Sequence, residues 1–266
     1  MKDGLPIQEA SAKELATKPA TNAATKAKAV KMRNLFEQVA PSYDSVTALV
    51  SLGLDRRWRR KAVDRLAELA DVRPFRPRKI LDACCGTGEL TLLLAGAFPE
   101  AALTGIDFSN GMIERARQKL LRAGVRRRRV QSARIAFLQA DMNRLPFADR
   151  RFDIVTVAFG LRNSVSCTHS LRELRRVLKP GGILSVLDCV TPRRSFVNSI
   201  CRYYFHNWVP FVGGLVHSRH QYAHLPASIE TFGATSDITR LLRTSGFTEV
   251  LVQPIFRDIV CHFIAT

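Results

Sequence analysis

Three carboxylates recur at the ends of short apolar runs. Asp82 lies in Ile80-Leu81-Asp82-Ala83, Asp107 ends the run 102–107, and Asp141 follows the run 135–139. The first run passes into Cys84-Cys85-Gly86-Thr87-Gly88-Glu89, a glycine-rich turn that opens a helix. Glycines at 86 and 88 let the backbone approach a ligand, and the helix N-terminus offers free N–H groups. A dinucleotide site wants a third small residue, GxGxxG or GxGxxA, so that helix and strand pack closely. Thr91 stands at that position, which weakens an NAD reading. Asp107 is placed to take both hydroxyls of a ribose. Asp141 can accept from an adenine amino group. Three acids at the tips of three successive strands describe a nucleoside pocket without a pyrophosphate site, which fits S-adenosylmethionine better than NAD. The bland alternative is three ordinary loop-end acids of an α/β sheet.

Strands must alternate with helices to put those residues on one edge. Strands are expected over 79–83, 102–107, 135–139, 152–158, 183–188, 250–252 and 259–264, and helices over 89–97, 112–121, 170–178 and 238–244. The run 152–158 is nearly all apolar, as in a strand buried on both faces. The alternation implies βαβ units, a parallel sheet and a Rossmann-like α/β fold. The helix 170–178 is expected to stop at a Lys179-Pro180-Gly181-Gly182 breaker, before the strand begins. Upstream, 30–70 reads as helical, with Pro41 dividing two segments. Residues 1–30 have almost no aromatic or bulky side chains and read as a disordered tail. Residues 31–266 then form a single domain, with an N-terminal helical segment over 31–76. The segment 191–232 interrupts the alternation with eight of the chain's 21 aromatic residues and four of its six histidines. It falls where strand C-termini open, so a helical aromatic cap over 191–235, inserted after strand five, is expected to cover the site.

Composition narrows the partners. In 266 residues, 41 Lys and Arg face 23 Asp and Glu, a net charge of +18. That excess favours polyanions: nucleic acid, an acidic membrane surface or an anionic substrate. Collagen, coiled coil and wholesale disorder are excluded by composition. The six cysteines show no CxxC spacing, and adjacent Cys84 and Cys85 could bridge only through a strained ring, so reduced thiols in a reducing compartment are expected. No apolar run approaches the ~18–20 residues of a membrane span, and the N-terminus lacks a signal-peptide core. The four arginines 126–129 read as a solvated loop, with attraction to acidic lipid next. Nucleic acid is not expected, because no aromatics interleave those charges. No metal site is expected from the scattered histidines, although His220 and His224 have i,i+4 spacing.

Four blocks carry a more particular likeness: Tyr43-Asp44 with Ser51 and Trp58; Leu81-Asp82 through Gly88-Glu89-Leu90-Thr91; Phe159-Gly160-Leu161-Arg162-Asn163; and Arg176-Val177-Leu178-Lys179-Pro180-Gly181-Gly182. From about residue 36 onward the chain resembles the class I methyltransferases that C-methylate ubiquinone and menaquinone precursors. The second and fourth blocks occur across many methyltransferases; the first and third are more particular to the quinone family. The resemblance implies S-adenosylmethionine as cofactor, with the candidate binding set Asp82, Gly86, Gly88, Thr91, Asp107, Phe108, Asp141, Met142 and Phe159. It further implies that Arg162 and Asn163 face the substrate and that Tyr222, in the cap, joins them as a catalytic candidate. Departures from the family stand at Asp55, where a His is usual, at Ala158 for Ser, and at Asp188 for Glu.

The implied reaction is methyl transfer to a ring carbon of a polyprenylated benzoquinol or naphthoquinol. Loss of a phenolic proton puts charge on the ortho carbon, and a guanidinium at Arg162 could hold a water against the phenol and stabilise the phenolate. A rival reading pairs Arg162 structurally with an acid such as Asp188. Because a polyprenyl quinol is insoluble in water, reversible peripheral binding to an anionic membrane by a cytoplasmic protein is expected, with a homodimer possible. The other readings are a different small-molecule or phospholipid methyltransferase on the same fold, or a non-enzymatic basic scaffold that binds membrane or nucleic acid.

Overall fold

The structure, a computed structural model, describes residues 22–72, 76–126, 134–192 and 224–266. Three helices come first: α1 (Asn22–Val39), α2 (Tyr43–Val50) and α3 (Leu54–Asp71). The sheet units follow as β1 (Lys79–Ala83), α4 (Glu89–Ala97), β2 (Ala102–Asp107), α5 (Asn110–Arg126), β3 (Arg134–Gln139) and β4 (Phe152–Ala158). A single turn of 3₁₀ helix, Leu161–Asn163, leads to α6 (Cys167–Val177) and β5 (Leu178–Cys189). The chain closes with α7 (His224–Phe232), α8 (Thr235–Thr244), β6 (Val250–Phe256) and β7 (Val260–Ala265).

These strands form one seven-stranded sheet in the order β3-β2-β1-β4-β5-β7-β6. The first five pair in parallel, while β7 runs antiparallel to β5 and to β6. The short connection from Phe256 to Val260, with Arg257 at φ +49°, is too tight for a crossover and forces a hairpin. An all-parallel sheet is therefore corrected at its C-terminal edge. Within this hairpin β7, buried along its whole length, takes the interior place, and β6, with Pro254 at a register shift, takes the edge. Strand order reverses between β1 and β4, so a crevice opens beyond their C-terminal ends.

Two boundaries differ from expectation for clear physical reasons. α1 begins at Asn22, inside the segment read as a tail; its alanines and lysines are good helix formers, and its later turns are anchored from outside. Glu37 accepts from the backbone N–H groups of Asn110 (2.6 Å) and Gly111 (2.9 Å), so α1 caps the N-terminus of α5. Residues 1–21 lie outside the described residues. The Lys179-Pro180-Gly181-Gly182 breaker lies inside β5, where pairing with β4 shifts register between Phe152 and Ile154. Gly181 takes φ +71°, and a Cβ at Gly182 would stand 2.9 Å from the Asp153 carbonyl oxygen. The glycines make a bulge in a continuous strand. Asp153 fastens this corner: it accepts from the N–H groups of Arg78 and Lys79 and from Lys179 Nζ (2.6 Å), and these donors hold its carboxyl below the usual range against the opposing effect of burial.

The principal core lies between the sheet and α6 and α8, with Leu171, Leu174, Ile238 and Leu242 against Leu81, Val155, Val157 and Phe263. A second core packs α3 and α4 on the other face, through Val63, Leu66, Leu90 and Leu94 against Ile80, Ile154 and Ile183. With both faces covered, the strand tips are held as a rigid edge.

Candidate active site

The β1 turn divides its work between two glycines. Gly86 has φ +54°, and a Cβ there would meet nothing nearer than Tyr43 Cε1 at 4.0 Å, so the turn presents bare backbone to open space. Gly88, at φ +84°, has no such room. A Cβ there would stand 3.1 Å from Ala116 and from Phe137, so its smallness serves the packing of the turn on α5. Cys84 also sits at positive φ (+54°) and packs against Gly160, whose own Cβ would lie 2.4 Å from that of Cys84.

Asp107 is buried behind this turn. One oxygen accepts from Gly86 N and the other from Ser109 N, each at 3.0 Å. A carboxylate oxygen has two acceptor positions, so each retains capacity for a hydroxyl. Burial pushes its carboxyl up to about 6, with Asp82 and Glu37 adding in the same direction and the two N–H donors opposing. Asp82 is likewise pushed up to about 6 by burial, against hydrogen bonds from Thr91 Oγ1 (2.6 Å) and Thr156 Oγ1 (2.9 Å). Thr91 is fully buried and its hydroxyl is used on Asp82; it stands behind the carboxylate rather than facing the crevice. On the far side, Asp141 holds Asn143 through its N–H and its Nδ2, both at 2.8 Å. Met142 is buried with its sulfur 3.8 Å from Cys84 Sγ. Phe108 packs edge-on against Phe36 of α1 at 5.6 Å.

Two cavities meet across Cys84. The larger, about 380 Å³, lies between the β1 turn and the α2–α3 pair and includes Tyr43, Arg59, Asp82, Gly86 and Ala158 in its wall. The smaller lies under α1, between Met32 and Arg33 above and Phe108, Asp141, Met142 and Asn163 below. Bare Gly86 backbone, a buried carboxylate with spare acceptor capacity, and an apolar pocket beside Asp141 suit the amino-acid end, the ribose and the base of S-adenosylmethionine in turn. Cys84, Cys85, Cys167, Cys189 and Cys261 are free thiols. Burial raises the Cys84 thiol well above its ordinary range, so it is a small wall residue and not a nucleophile.

At the next strand tips, Arg162 and Asp188 form a buried ion pair, the arrangement anticipated as the rival to a role in chemistry. Burial raises the Asp188 carboxyl, while Arg162 pulls it down. The pair does not exhaust the guanidinium. Arg162 Nε is buried and without a partner among the described residues. Arg162 and Tyr43 also lie close enough for each to shift the other's protonation. Asn163 Nδ2 lies 3.4 Å from the Phe159 carbonyl oxygen, and Phe159 itself has φ +58°. Thus Arg162, Asn163, Phe159 and Asp82 gather at one edge. Tyr222, the histidines at 206, 217 and 220 and most of the cap lie outside the described residues, as do 127–129 of the arginine run.

Sequence reasoning missed the contribution of α2 and α3. Tyr43 is half-buried beside Gly86; burial raises its phenol, while Arg59 and Arg162 lower it. Arg59 is paired with Asp55 in a buried contact, and its guanidinium stacks over the Phe159 ring at 5.1 Å. Asp44, Thr87, Glu89 and Lys119 close the rim, with Lys119 Nζ at 2.7 Å from an oxygen of each of the other three. The signal was available in part: the Tyr43-Asp44 block entered as a likeness without a role attached to its side chains.

A family model described as the ubiE/COQ5 methyltransferase family matches residues 24–266. The demethylmenaquinone methyltransferase of Thermus thermophilus is 40% identical over 215 residues, 80% of this chain and 91% of its own. The ubiquinone/menaquinone biosynthesis C-methyltransferase UbiE of Syntrophotalea carbinolica is 39% identical over 218 residues, 82% of this chain and 86% of its own. Among solved structures, a SAM dependent methyltransferase from Aquifex aeolicus superposes with a TM-score of 0.56 at 16% identity, covering 84% of this chain and 96% of that one. The CurJ carbon methyltransferase gives 0.60 at 18% identity, covering 85% and 58%. At these identities the structural likeness shows the fold alone, and the fold is the Rossmann-like one of class I methyltransferases.

Proposed function

The chain belongs to the ubiE/COQ5 methyltransferase family, and on that premise we propose how its residues serve S-adenosylmethionine-dependent C-methylation of a prenylated quinol in quinone biosynthesis. The cofactor, when bound, supplies a sulfonium-activated methyl group. Everything else falls to the chain. Gly86 and Asp107 hold the amino-acid and ribose portions, and Phe108, Asp141 and Met142 line the base. Asp82, gripped by Thr91 and Thr156, keeps the β1 turn in place. The acceptor ring, a demethylmenaquinol or ubiquinol precursor, lies in the larger cavity beside Tyr43, Arg59 and Ala158.

The observation that carries this reading is the unpartnered Nε of buried Arg162, a residue close enough to Tyr43 for each to act on the other's protonation. An arginine is a poor base, since its pKa exceeds 12. Its Nε–H can instead hold a water or the phenolic oxygen and stabilise negative charge as the ring loses its proton. Asp188 fixes the guanidinium and sets its orientation. The test is incubation of purified protein with methyl-labelled cofactor and a chemically reduced, short-chain naphthoquinol, followed by mass analysis. Label on a ring carbon supports the reading; label on oxygen, or none, overturns it.

Two finer points complete the proposal. A water-insoluble prenyl acceptor requires the protein to meet a bilayer, so we read it as a peripheral membrane protein. No described helix is long and apolar enough to cross a membrane. A homodimer remains part of the proposal as a second copy bound in solution, read out by light scattering.

A further inference from the structure

One place on the described surface brings apolar side chains, uncommitted cations and the rim of the cavity together. α2 passes into α3 through Ser51-Leu52-Gly53, where Leu49 is 43% and Leu52 64% exposed. Leu52 and Gly53 both adopt left-handed backbone, φ +53° and +72°. That conformation suits glycine or asparagine, and packing does not account for a leucine held there with its side chain in water. Along the first two turns of α3, Arg56, Arg57, Arg60 and Lys61 are exposed. Arg56 has Glu89 at 3.6 Å; Arg57, Arg60 and Lys61 make no ion pair with a described residue.

This turn is fastened to the cavity. Ser51 Oγ donates to Asp55 Oδ1 at 2.8 Å, Asp55 pairs with Arg59, and Arg59 lies over Phe159. Ala48 and Arg56, on either side of the turn, line the cavity. Whatever surface meets Leu49 and Leu52 is therefore held at the cavity's mouth.

We propose that the 49–52 turn, with Arg57, Arg60 and Lys61, docks this protein on an anionic lipid bilayer. The leucines enter the boundary between headgroups and acyl chains, the cations meet lipid phosphates, and the cavity opens toward the membrane. The inference rests on the reading that the acceptor is a bilayer-dissolved quinol. Charge selects the occupant. A second copy in a two-fold contact would bring the same cations against themselves, in a chain whose net charge is already +18. A polyanion such as RNA would leave both leucines unused, and Trp58, the aromatic within this basic run, is engaged by Phe159 and Phe256 rather than presented for base stacking.

The test is co-sedimentation of the full chain with phosphatidylcholine vesicles, with and without phosphatidylglycerol, at low and high salt. The double variant Leu49→Ser/Leu52→Asn is expected to partition at least about tenfold less than wild type. Arg57→Gln, Arg60→Gln and Lys61→Gln should each cost about fivefold on anionic vesicles at low salt and little in high salt. Leu251→Ser, a similarly exposed leucine on the edge strand β6 (47%), should bind as wild type. Melting temperature should be no lower than that of wild type, and cofactor affinity unchanged, throughout. Equal binding by wild type and the leucine variant overturns the docking surface while leaving membrane association standing. A change in oligomeric state on light scattering without a change in vesicle binding assigns the turn to a second copy and also overturns it. If wild type ignores every vesicle, membrane association falls with it, and the short-chain quinol assay decides separately whether the methyltransferase reading stands.

Discussion

Asp107→Asn is expected to weaken and flatten the pH dependence of ribose binding while leaving the apo-protein at least as stable. Burial, aided by Asp82 and Glu37, pushes the Asp107 carboxyl up to about 6. Its ionised fraction then rises from about a tenth near pH 5 to about nine-tenths near pH 7. Only the ionised form can accept from two hydroxyls and two backbone N–H groups together. Affinity for a ribose-bearing ligand should accordingly rise about tenfold across that interval. Asp82 titrates in the same range and raises Asp107, so the step belongs to the pair. Asparagine cannot ionise and keeps one acceptor oxygen. It should forfeit a charge-assisted hydrogen bond of about 1.5–3 kcal/mol at pH 7, roughly 10- to 150-fold in affinity. The sign for stability is opposite. A carboxyl raised from 3.8 to about 6 makes the folded state bind more protons than the unfolded one between those values, so stability falls as pH rises through them. At pH 7 the buried charge costs about 3 kcal/mol, and the variant removes it. One backbone N–H loses its acceptor in exchange, about 1–3 kcal/mol, leaving the variant about 0–2 kcal/mol more stable without ligand. Calorimetry with adenosine isolates the effect, because adenosine lacks the separately titrating amino-acid end. An Asn variant that binds adenosine as wild type does, with the same slope in pH, would refute the assignment of Asp107 to the ribose.

Asp188→Asn strands the buried Arg162 charge and should cost about 3–5 kcal/mol by thermal or urea unfolding; a wild-type melting curve would contradict the pair. Arg162→Gln should lower ring methylation more than adenosine binding, and equal losses in both would move Arg162 out of the chemistry. Gly160→Ala places a Cβ 2.4 Å from that of Cys84 and should destabilise by about 1–3 kcal/mol. Cys84→Gly, which removes that atom and suits φ +54°, should recover the loss in the double variant; failure to recover would mean the clash is relieved elsewhere.

The strand positions were legible because each obeyed a local rule. β1, β2 and β4 begin and end where their apolar runs do, and the acids at 82, 107 and 141 mark the tips. What escaped was set by contacts distant in sequence. The family resemblance implied a cofactor contact at Thr91, whose hydroxyl is instead donated to Asp82, nine residues back on β1. Gly88 looked like a cradle residue, yet Ala116 and Phe137 fill its Cβ space. The helix at 22–30 was hidden because its anchors, such as Lys28 Nζ on the Ser164 carbonyl oxygen at 3.0 Å, lie over a hundred residues away. The hairpin of β6 and β7 was the avoidable miss, since the tightness of its connection could be read directly.

The two halves of the site place different demands on the chain. On the proposed reading the cofactor half is built by the sheet: backbone N–H groups, glycines and buried acids at strand tips, a solution open to any sequence with this fold. The acceptor half is, on the same reading, built by α2 and α3, which precede the sheet; α3 packs on it through Val63 and Leu66, and polar contacts close the rim of the cavity. Lys119 of α5 joins Asp44 to Glu89, and Arg59 bridges Asp55 to the Phe159 face. This explains why the departure at Asp55 is tolerable. An acid there, buried and held by Ser51 and Arg59, orients the guanidinium that lies over Phe159. Tyr43 then stands between two cations, Arg59 and Arg162, each lowering its phenol against the rise from burial. A phenolic acceptor occupying the space beside Tyr43 would meet the same two cations and the same loss of water. The field that acts on this tyrosine is thus the field the ring would feel as its oxygen gives up a proton, and it comes from Arg59 of α3 and from Arg162 just beyond β4.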